Sequence, residues 1–432
     1  MIKSFISILG TNDYLECRHS FNNLTSDLPV KYVQEDSIKF FCKDFSKQDE
    51  IRIFLTNLAR QRNWENDGFN KPNEGLKSRL NKSGLVCKLN DYSIPDGNSE
   101  KEIWEIFEII LNTFHQDEIV IVDITHSFRF LPMLLTTLLN FAKYQKNISV
   151  KGIYYAAFES LGPINEVKKK PIEQRVAPIF DLTSLSLLQD WTFASFDFIN
   201  NANIQKLKQL VKNENKLSDS LPDNQKFLSQ RVISKLEELI NNVALCRGKE
   251  LMNFSYYELK ENILKLKTIQ GLPKPFFFLI DELHRKIQDF NNNLSDLIIV
   301  IADWCLRHNY YQQMVTLLQE FSITLVLNEC SLDKFDDKFR TIASQSFKIS
   351  AQNISEESWH SPAKENKEIT KKILNSNILK SLKDSFQSLT ELRNDINHAG
   401  FLSTARNITS IKSKLENNLI NYKKLFSEFY KS

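Results

Sequence analysis

The stretch Ile119-Val120-Ile121-Val122-Asp123-Ile124-Thr125-His126-Ser127-Phe128-Arg129-Phe130-Leu131-Pro132 decides the fold. Up to Asp123 it is apolar at consecutive positions, so both faces of an extended chain are apolar, as a central parallel strand requires. Polar residues follow at once, and then an apolar run at helical spacing. A strand that runs into polar residues and then a helix gathers the helix's free N–H groups, the Thr125 and Ser127 hydroxyls, His126 and Arg129 around one spot. Phosphates or polar bases are gripped by such groups. Asp123 reads as a buried, hydrogen-bonded residue that shapes the turn.

Moving outward, short β-rich runs at 5–9, 30–33, 51–55, 86–89, 118–124 and 150–155 alternate with helical stretches at 100–114 and 128–144. Such alternation predicts a Rossmann-like, doubly wound α/β sheet over residues 1–182. Ligands bind such sheets at the carboxyl ends of the strands. The loop after the first strand, Leu9-Gly10-Thr11-Asn12-Asp13-Tyr14, lies at that edge and offers a tight turn at Gly10 with the polar groups of Thr11 and Asn12. Thr56, which closes the run at 51–55, joins the same candidate ligand set. Neither GxGxxG nor GxxxxGK[ST] is present, which excludes the usual dinucleotide and P-loop sites.

A basic, proline-containing stretch at 168–178 breaks the pattern and reads as a surface loop ahead of a boundary near 182. Beyond it, 183–432 reads as helical throughout. Apolar spacing marks helices around Phe227 to Val243, Leu294 to Cys305, Met314 to Cys330, Ile373 to Asn397 and Ile408 to Phe429, with Gly400 a helix stop. The composition agrees: only ten Gly and 11 Pro in 432 residues argue against a turn-dense all-β design, and 42% apolar with 25% charged residues is that of a globular chain. A net charge of +3 leaves no global nucleic-acid or membrane footprint, so an anionic ligand needs a local site. The six cysteines lack CxxC spacing and read as buried free thiols of a reducing compartment. The first residues read as a buried strand and not a signal peptide. No apolar run reaches the ~18 residues of a membrane span. A cytoplasmic protein without membrane contact is expected.

The helical half ends in Leu392-Arg393-Asn394-Asp395-Ile396-Asn397-His398. On an ideal helix five residues amount to about 140° of rotation, so Arg393 and His398 of one chain do not stand side by side. Taken alone the pair reads as two solvent-facing residues; a working site would combine them from two subunits across a two-fold axis. An Arg that holds a phosphate and a His that moves a proton suit metal-free RNA cleavage, in which the 2′-OH attacks the adjacent phosphorus. HExxH and GxSxG are absent. His19, His115, His284, His308 and His360 show no metal or triad spacing and read as surface or packed residues; no metal site is expected.

Three elements together resemble the CARF–HEPN ribonucleases associated with type III CRISPR systems, the Csx/Csm-type accessory effectors. They are Ile8-Leu9-Gly10-Thr11-Asn12-Asp13-Tyr14, the segment from Val122 to Pro132, and Arg393-Asn394-x3-His398. The second is the most specific, because the family commonly reads Asp-x-Thr-His-Gly-Phe-Arg-x-Leu-Pro there. Ser127 stands where Gly is usual, and its Cβ bears on how closely a ligand approaches the backbone. The resemblance implies a CARF sensor at 1–182 and a helical region at 183–432 that ends in a HEPN ribonuclease domain. It implies a homodimer or higher even oligomer, with a cyclic oligoadenylate, the expected ring being the tetra-adenylate, as allosteric activator and no cofactor. Gly10, Thr11, Asn12, Thr56, Thr125, His126, Ser127 and Arg129 would meet that ligand. Arg393, Asn394 and His398 would cleave single-stranded RNA. The alternatives are a sensing module whose helical domain binds without cutting, and a CARF domain that also degrades its own ligand.

Overall fold

A computed structural model of the chain describes residues 1–69, 74–126, 130–217, 223–269 and 274–429. It divides into two compact units, Met1–Gln189 and Asp190–Ser432.

The N-terminal unit is built on β1 (Lys3–Leu9), β2 (Arg18–Phe21), β3 (Leu24–Thr25), β4 (Glu50–Leu55), β5 (Lys88–Ser93), β6 (Ile119–Asp123), β7 (Ser149–Ala156) and β8 (Val176–Asp181). They form one sheet in the order β3-β2-β8-β7-β6-β1-β4-β5. From β7 to β5 the strands are parallel. The chain passes from β1 through β4 to β5, then returns as β6 on the other side of β1, so the strand order reverses between β1 and β6. Open α/β sheets bind ligands at that reversal. In register, Leu9 lies opposite Leu55, which brings Gly10 and Thr56 out at one level, while Ser7 lies opposite Asp123, so the β6 turn starts two residues earlier.

Helices α1 (Val33–Phe41), α2 (Asn57–Ala59), α3 (Leu76–Lys82), α4 (Glu100–Thr113), α5 (Leu131–Gln145) and α6 (Ile164–Val167) complete the unit. Alternating side chains along each central strand face opposite sides. Ile6, Ile8, Val120 and Val122 pack with Ile106 and Ile110 of α4 and Leu135 and Leu138 of α5. Phe5, Leu9, Ile51, Ile53 and Ile121 pack on the other face with Ile38 of α1 and Leu76 and Leu80 of α3. Burial on both faces explains the unbroken apolar run from Ile119 to Val122.

Four expectations are corrected. Residues 30–33 are not a strand: Val30 makes one isolated bridge to Cys17, Tyr32 caps α1, and Val33 begins it. The apolar run there is the buried entry of a helix, with Glu35 and Asp36 in its first turn. The run at 86–89 starts too early, because Val86 is 62% exposed and pairing begins at Lys88. The loop expected at 168–178 ends sooner, since Val176 opens β8, antiparallel to β7, with Ala177 and Ile179 buried. The helix expected from Ile373 to Asn397 is two helices, with Ser376 as the break.

The second division begins inside α7 (Thr183–Asn201). It continues through α8 (Gln205–Leu217), α9 (Asp223–Ala244), α10 (Gly248–Met252), α11 (Tyr256–Lys265), α12 (Pro275–Ile287) and α13 (Leu294–Arg307). Then follow α14 (Tyr311–Glu329), α15 (Asp337–Gln352), α16 (Lys367–Leu374), α17 (Asn377–Asn397) and α18 (Ile408–Phe429). Helix α14 is buried almost all round, from Met314 through Leu327, and α17 packs against α14, α15 and α18. The Ser376 hydroxyl caps α17 by accepting from Leu379 N at 3.0 Å, and the Glu329 carboxylate accepts from Asn377 N and Ile378 N at 3.1 Å. A carboxylate and a hydroxyl on the free N–H groups are what start a new helix there. All six cysteines are free thiols, four buried and Cys87 and Cys246 half-buried. No helix among the described residues is long and apolar enough to cross a membrane.

Candidate functional site

At the carboxyl edge of the N-terminal sheet the turn after β1 is held from beneath. The Asn63 amide donates to Gly10 O at 2.9 Å and to Asn12 O at 3.0 Å, from a fully buried position. Gly10 is required: a Cβ there would run into the Tyr14 hydroxyl. The Tyr14 ring lies on the His126 ring, centroids 4.1 Å apart, and meets Tyr32 edge-on at 5.8 Å. Burial pushes the Tyr14 phenol well above its ordinary value. Thr11 and Asn12 project at the rim, half-buried and exposed respectively.

Across the reversal, Asp123 is buried at the end of β6. Its Oδ2 accepts from Ser7 Oγ at 2.8 Å, and its Oδ1 accepts from Thr125 N at 3.0 Å and from Thr125 Oγ1 at 2.5 Å. Burial raises its carboxyl above the ordinary range against the pull of those hydrogen bonds. The Thr125 hydroxyl in turn accepts from Ala156 N at 2.9 Å. Both its donor and an acceptor are therefore spent on tying the β6 turn to β7. Thr56 is similarly engaged, capping α2 by accepting from Ala59 N at 3.3 Å. Among the candidates this leaves Thr11 and Asn12 at the rim and His126 against the Tyr14 ring. His126 is half-buried, and burial, with a smaller push from the charge on His19, takes its imidazole down to about 3. At neutral pH it is an uncharged donor and acceptor. Ser127 and Arg129 lie outside the described residues.

In the helical unit Arg393 and Asn394 are exposed on the last turns of α17, and His398 is its exposed C-cap. The chain turns away through Ala399 and Gly400 at φ values of 53° and 76°, an αL stop. Arg393 Nη1 donates to Gln319 Oε1 at 3.4 Å. Asp395, inside the same motif, is buried and accepts from Arg406 N at 2.9 Å, so it anchors the turn. Among the described residues no group of three or more His, Cys, Asp and Glu is placed to hold a metal.

Residues 4–159 match the family model described as the CARF domain of the CRISPR system endoribonuclease Csx1. Over that segment the chain is similar to the CARF domains of CRISPR-associated proteins. It is 26% identical over 234 residues to the CRISPR-associated protein MJ1674 of Methanocaldococcus jannaschii, an overlap of 53% of this chain and 32% of that one. The chain thus spans about a third of the curated relative's length. It also overlays Csm6 of Enterococcus italicus, solved with cyclic hexa-2′-fluoro-hexa-dAMP bound, at a TM-score of 0.47 and 12% identity, covering 100% of this chain and 95% of that chain.

The matched segment of the CARF domain contains β1 through β7 and with them Gly10, Thr11, Asn12, Thr56, Thr125 and His126. Its edge also contains groups that sequence reasoning passed over. Lys31 is buried, its Nζ 2.5 Å from Asp67 Oδ2 and 3.2 Å from Asp13 Oδ1. His19 on β2 pairs through Nδ1 with Asp36 Oδ2 at 2.8 Å, both buried. Burial opposes the His19 charge, and the bonds to Asp36 and Cys17 outweigh it, raising His19 to about 9. Tyr14 stood in the quoted opening stretch, and a tyrosine four residues past a strand-end glycine was its signal. Lys31, Asn63 and the His19–Asp36 pair gave none, because each acts through a partner distant in sequence.

Proposed function

We propose that the protein is a cyclic-oligoadenylate-activated, metal-independent endoribonuclease of type III CRISPR defence. In this reading 1–182 is the sensor, and 183–432 is a helical region ending in a HEPN-like ribonuclease domain. The observation that carries the reading is the match of residues 4–159 to the CARF domain of an endoribonuclease. The exposed Arg393 and His398 at the end of α17 support it.

A homodimer places two sensor edges on one axis. There a ring of phosphates meets Thr11, Asn12, the neutral His126 and, from the sequence, Ser127 and Arg129. Two copies of α17 supply Arg393, Asn394 and His398 to one composite site. His398 takes the proton of the RNA 2′-OH, O2′ attacks the adjacent phosphorus, and the bond to O5′ breaks as O5′ takes up a proton from water. Arg393 holds the charge that builds on the phosphoryl oxygens. The products are a 2′,3′-cyclic phosphate and a 5′-OH.

The test is purified protein with labelled single-stranded RNA in EDTA, with and without cyclic tri-, tetra- and hexa-adenylate. Cleavage that needs one of the rings, gives those ends and fails on 2′-deoxy RNA is expected, with Arg393→Ala and His398→Ala each costing about 10²-fold or more in rate. Wild-type rates in both variants overturn the assignment.

A further inference from the structure

Gln319 is a long polar side chain within α14 and only 4% exposed, in a helix whose other buried side chains are mostly apolar. Its hydrogen bonds explain its presence. Thr390 on α17 donates its single hydroxyl proton to Phe386 O at 2.8 Å. Thr390 Oγ1 can then only accept from Gln319, and Gln319 Nε2 lies 2.8 Å from it. With the amide nitrogen committed to Thr390, the amide oxygen is turned to Arg393, whose Nη1 donates to Gln319 Oε1 at 3.4 Å. The relay Arg393 to Gln319 to Thr390 to Phe386 O has one direction throughout, so the amide cannot flip without leaving two donors facing each other.

A second contact repeats the pattern toward the end of the helix: Gln312 Nε2 donates to Asn397 Oδ1 at 3.2 Å. Gln312 and Gln319, and likewise Thr390 and Asn397, are spaced by about two helical turns. Each pair therefore lies on one face, and α14 presents a polar stripe to the stretch of α17 that bears Arg393. An exposed arginine on a helix otherwise samples many rotamers, at up to about 2 kcal/mol of side-chain entropy.

We propose that Gln319 is a positioning residue for Arg393: from inside α14 it offers a fixed carbonyl acceptor that restrains the guanidinium in the orientation that meets the scissile phosphate. This rests on the ribonuclease reading above. Gln319 does not touch RNA and acts only through Arg393.

The experiment compares Gln319→Met, which keeps the length and removes the acceptor, with Gln319→Glu, which keeps acceptor oxygens toward Arg393. Steady-state cleavage of labelled single-stranded RNA is measured at saturating activator, in wild type and in an Arg393→Ala background. Gln319→Met should lower kcat about tenfold or more with KM nearly unchanged, because a misplaced catalytic group costs rate at the transition state. Gln319→Glu should restore most of kcat, and Gln319→Met should have no further effect once Arg393 is Ala. If Gln319→Met does not fold, Thr390→Val, which frees the amide to flip, should lower kcat in the same way. Wild-type kcat in Gln319→Met (or in Thr390→Val if that variant carries the test) alongside a dead Arg393→Ala overturns the inference and leaves the ribonuclease reading standing. An equal loss in the Arg393→Ala background, the mark of a merely structural role, overturns it too. Wild-type rates in Arg393→Ala itself strike the ribonuclease reading instead.

Discussion

Two histidines of the N-terminal unit are moved in opposite directions, and each leaves a mark on stability. His19 is raised from 6.5 to about 9 beside Asp36. The folded state therefore holds its proton longer than the unfolded chain, and its contribution is full below about pH 6.5 and lost as pH rises through 9. His126 is lowered to about 3, so the unfolded chain binds the extra proton first and stability falls as pH drops below 6.5. Thermal or urea unfolding should show an alkaline limb on the order of 2–3 kcal/mol between pH 6.5 and 9 that His19→Gln flattens. An equally steep limb in the variant would remove His19 as its cause. At the neighbouring turn Gly10→Ala should weaken ligand binding, because the new Cβ displaces the Tyr14 hydroxyl from its place over residue 10. Removing that hydroxyl leaves the nearest Tyr14 ring carbon an ordinary 3.7 Å away. Tyr14→Phe should thus rescue Gly10→Ala in a calorimetric titration with cyclic oligoadenylate, and a double variant as impaired as Gly10→Ala would show that the clash is elsewhere.

At the scale of elements, the turn after β1 depends on a side chain from the helical stretch Arg60–Trp64 that continues α2. Asn63 donates to both Gly10 O and Asn12 O from a buried position. Asn63→Ala should cost about 1–3 kcal/mol, the range for a buried polar group left unpaired, and should loosen the turn that carries Thr11 and Asn12. Lower unfolding temperature together with faster amide exchange at residues 10–13 is the expected result. A lower unfolding temperature with unchanged exchange there would mean that the loop keeps its shape without Asn63. The β6 turn is braced in the same manner by Asp123 and Thr125, so the two turns that flank the strand reversal are both fixed by buried polar groups. Preorganisation of this kind reduces what a ligand spends on ordering the loops it meets.

Across the whole molecule the residues proposed to sense the ligand and those proposed to cleave RNA belong to different compact units, so their variants should separate kinetically. His126→Ala removes a hydrogen bond from a neutral imidazole, worth about 1 kcal/mol, and should raise the activator concentration for half-maximal cleavage about fivefold. Thr11→Val should act in the same direction and more mildly, and neither should change the rate at saturation. Arg393→Ala and His398→Ala should do the reverse, lowering the saturated rate and leaving the midpoint in place. An activation curve unmoved in His126→Ala and Thr11→Val would place the ligand away from the β1–β6 edge.

Local pattern carried much of this protein. The both-face apolar run of β6, the alternation of strands and helices up to residue 182, the periodic helices beyond it and the turn at Gly400 all depend on neighbours within a few residues. Side-chain period and turn preference are written there. The strands β2 and β8 escaped because β2 is polar, with only His19 buried, and β8 is short, carries Pro178 and is placed by pairing with β2 and β7, far away in sequence. The site divides in the same way. Gly10, Thr11, Asn12, Thr125 and His126 stand at strand ends that sequence alone locates. That Thr125 and Thr56 spend their hydroxyls inside the protein, that His126 is held neutral, and that Arg393 leans on Gln319 were decided only when residues scores of positions apart met across the sheet or between helices. A hydrogen bond between distant residues leaves no period in the chain, and burial, which sets the charge of a histidine, belongs to the folded surroundings and not to the residue.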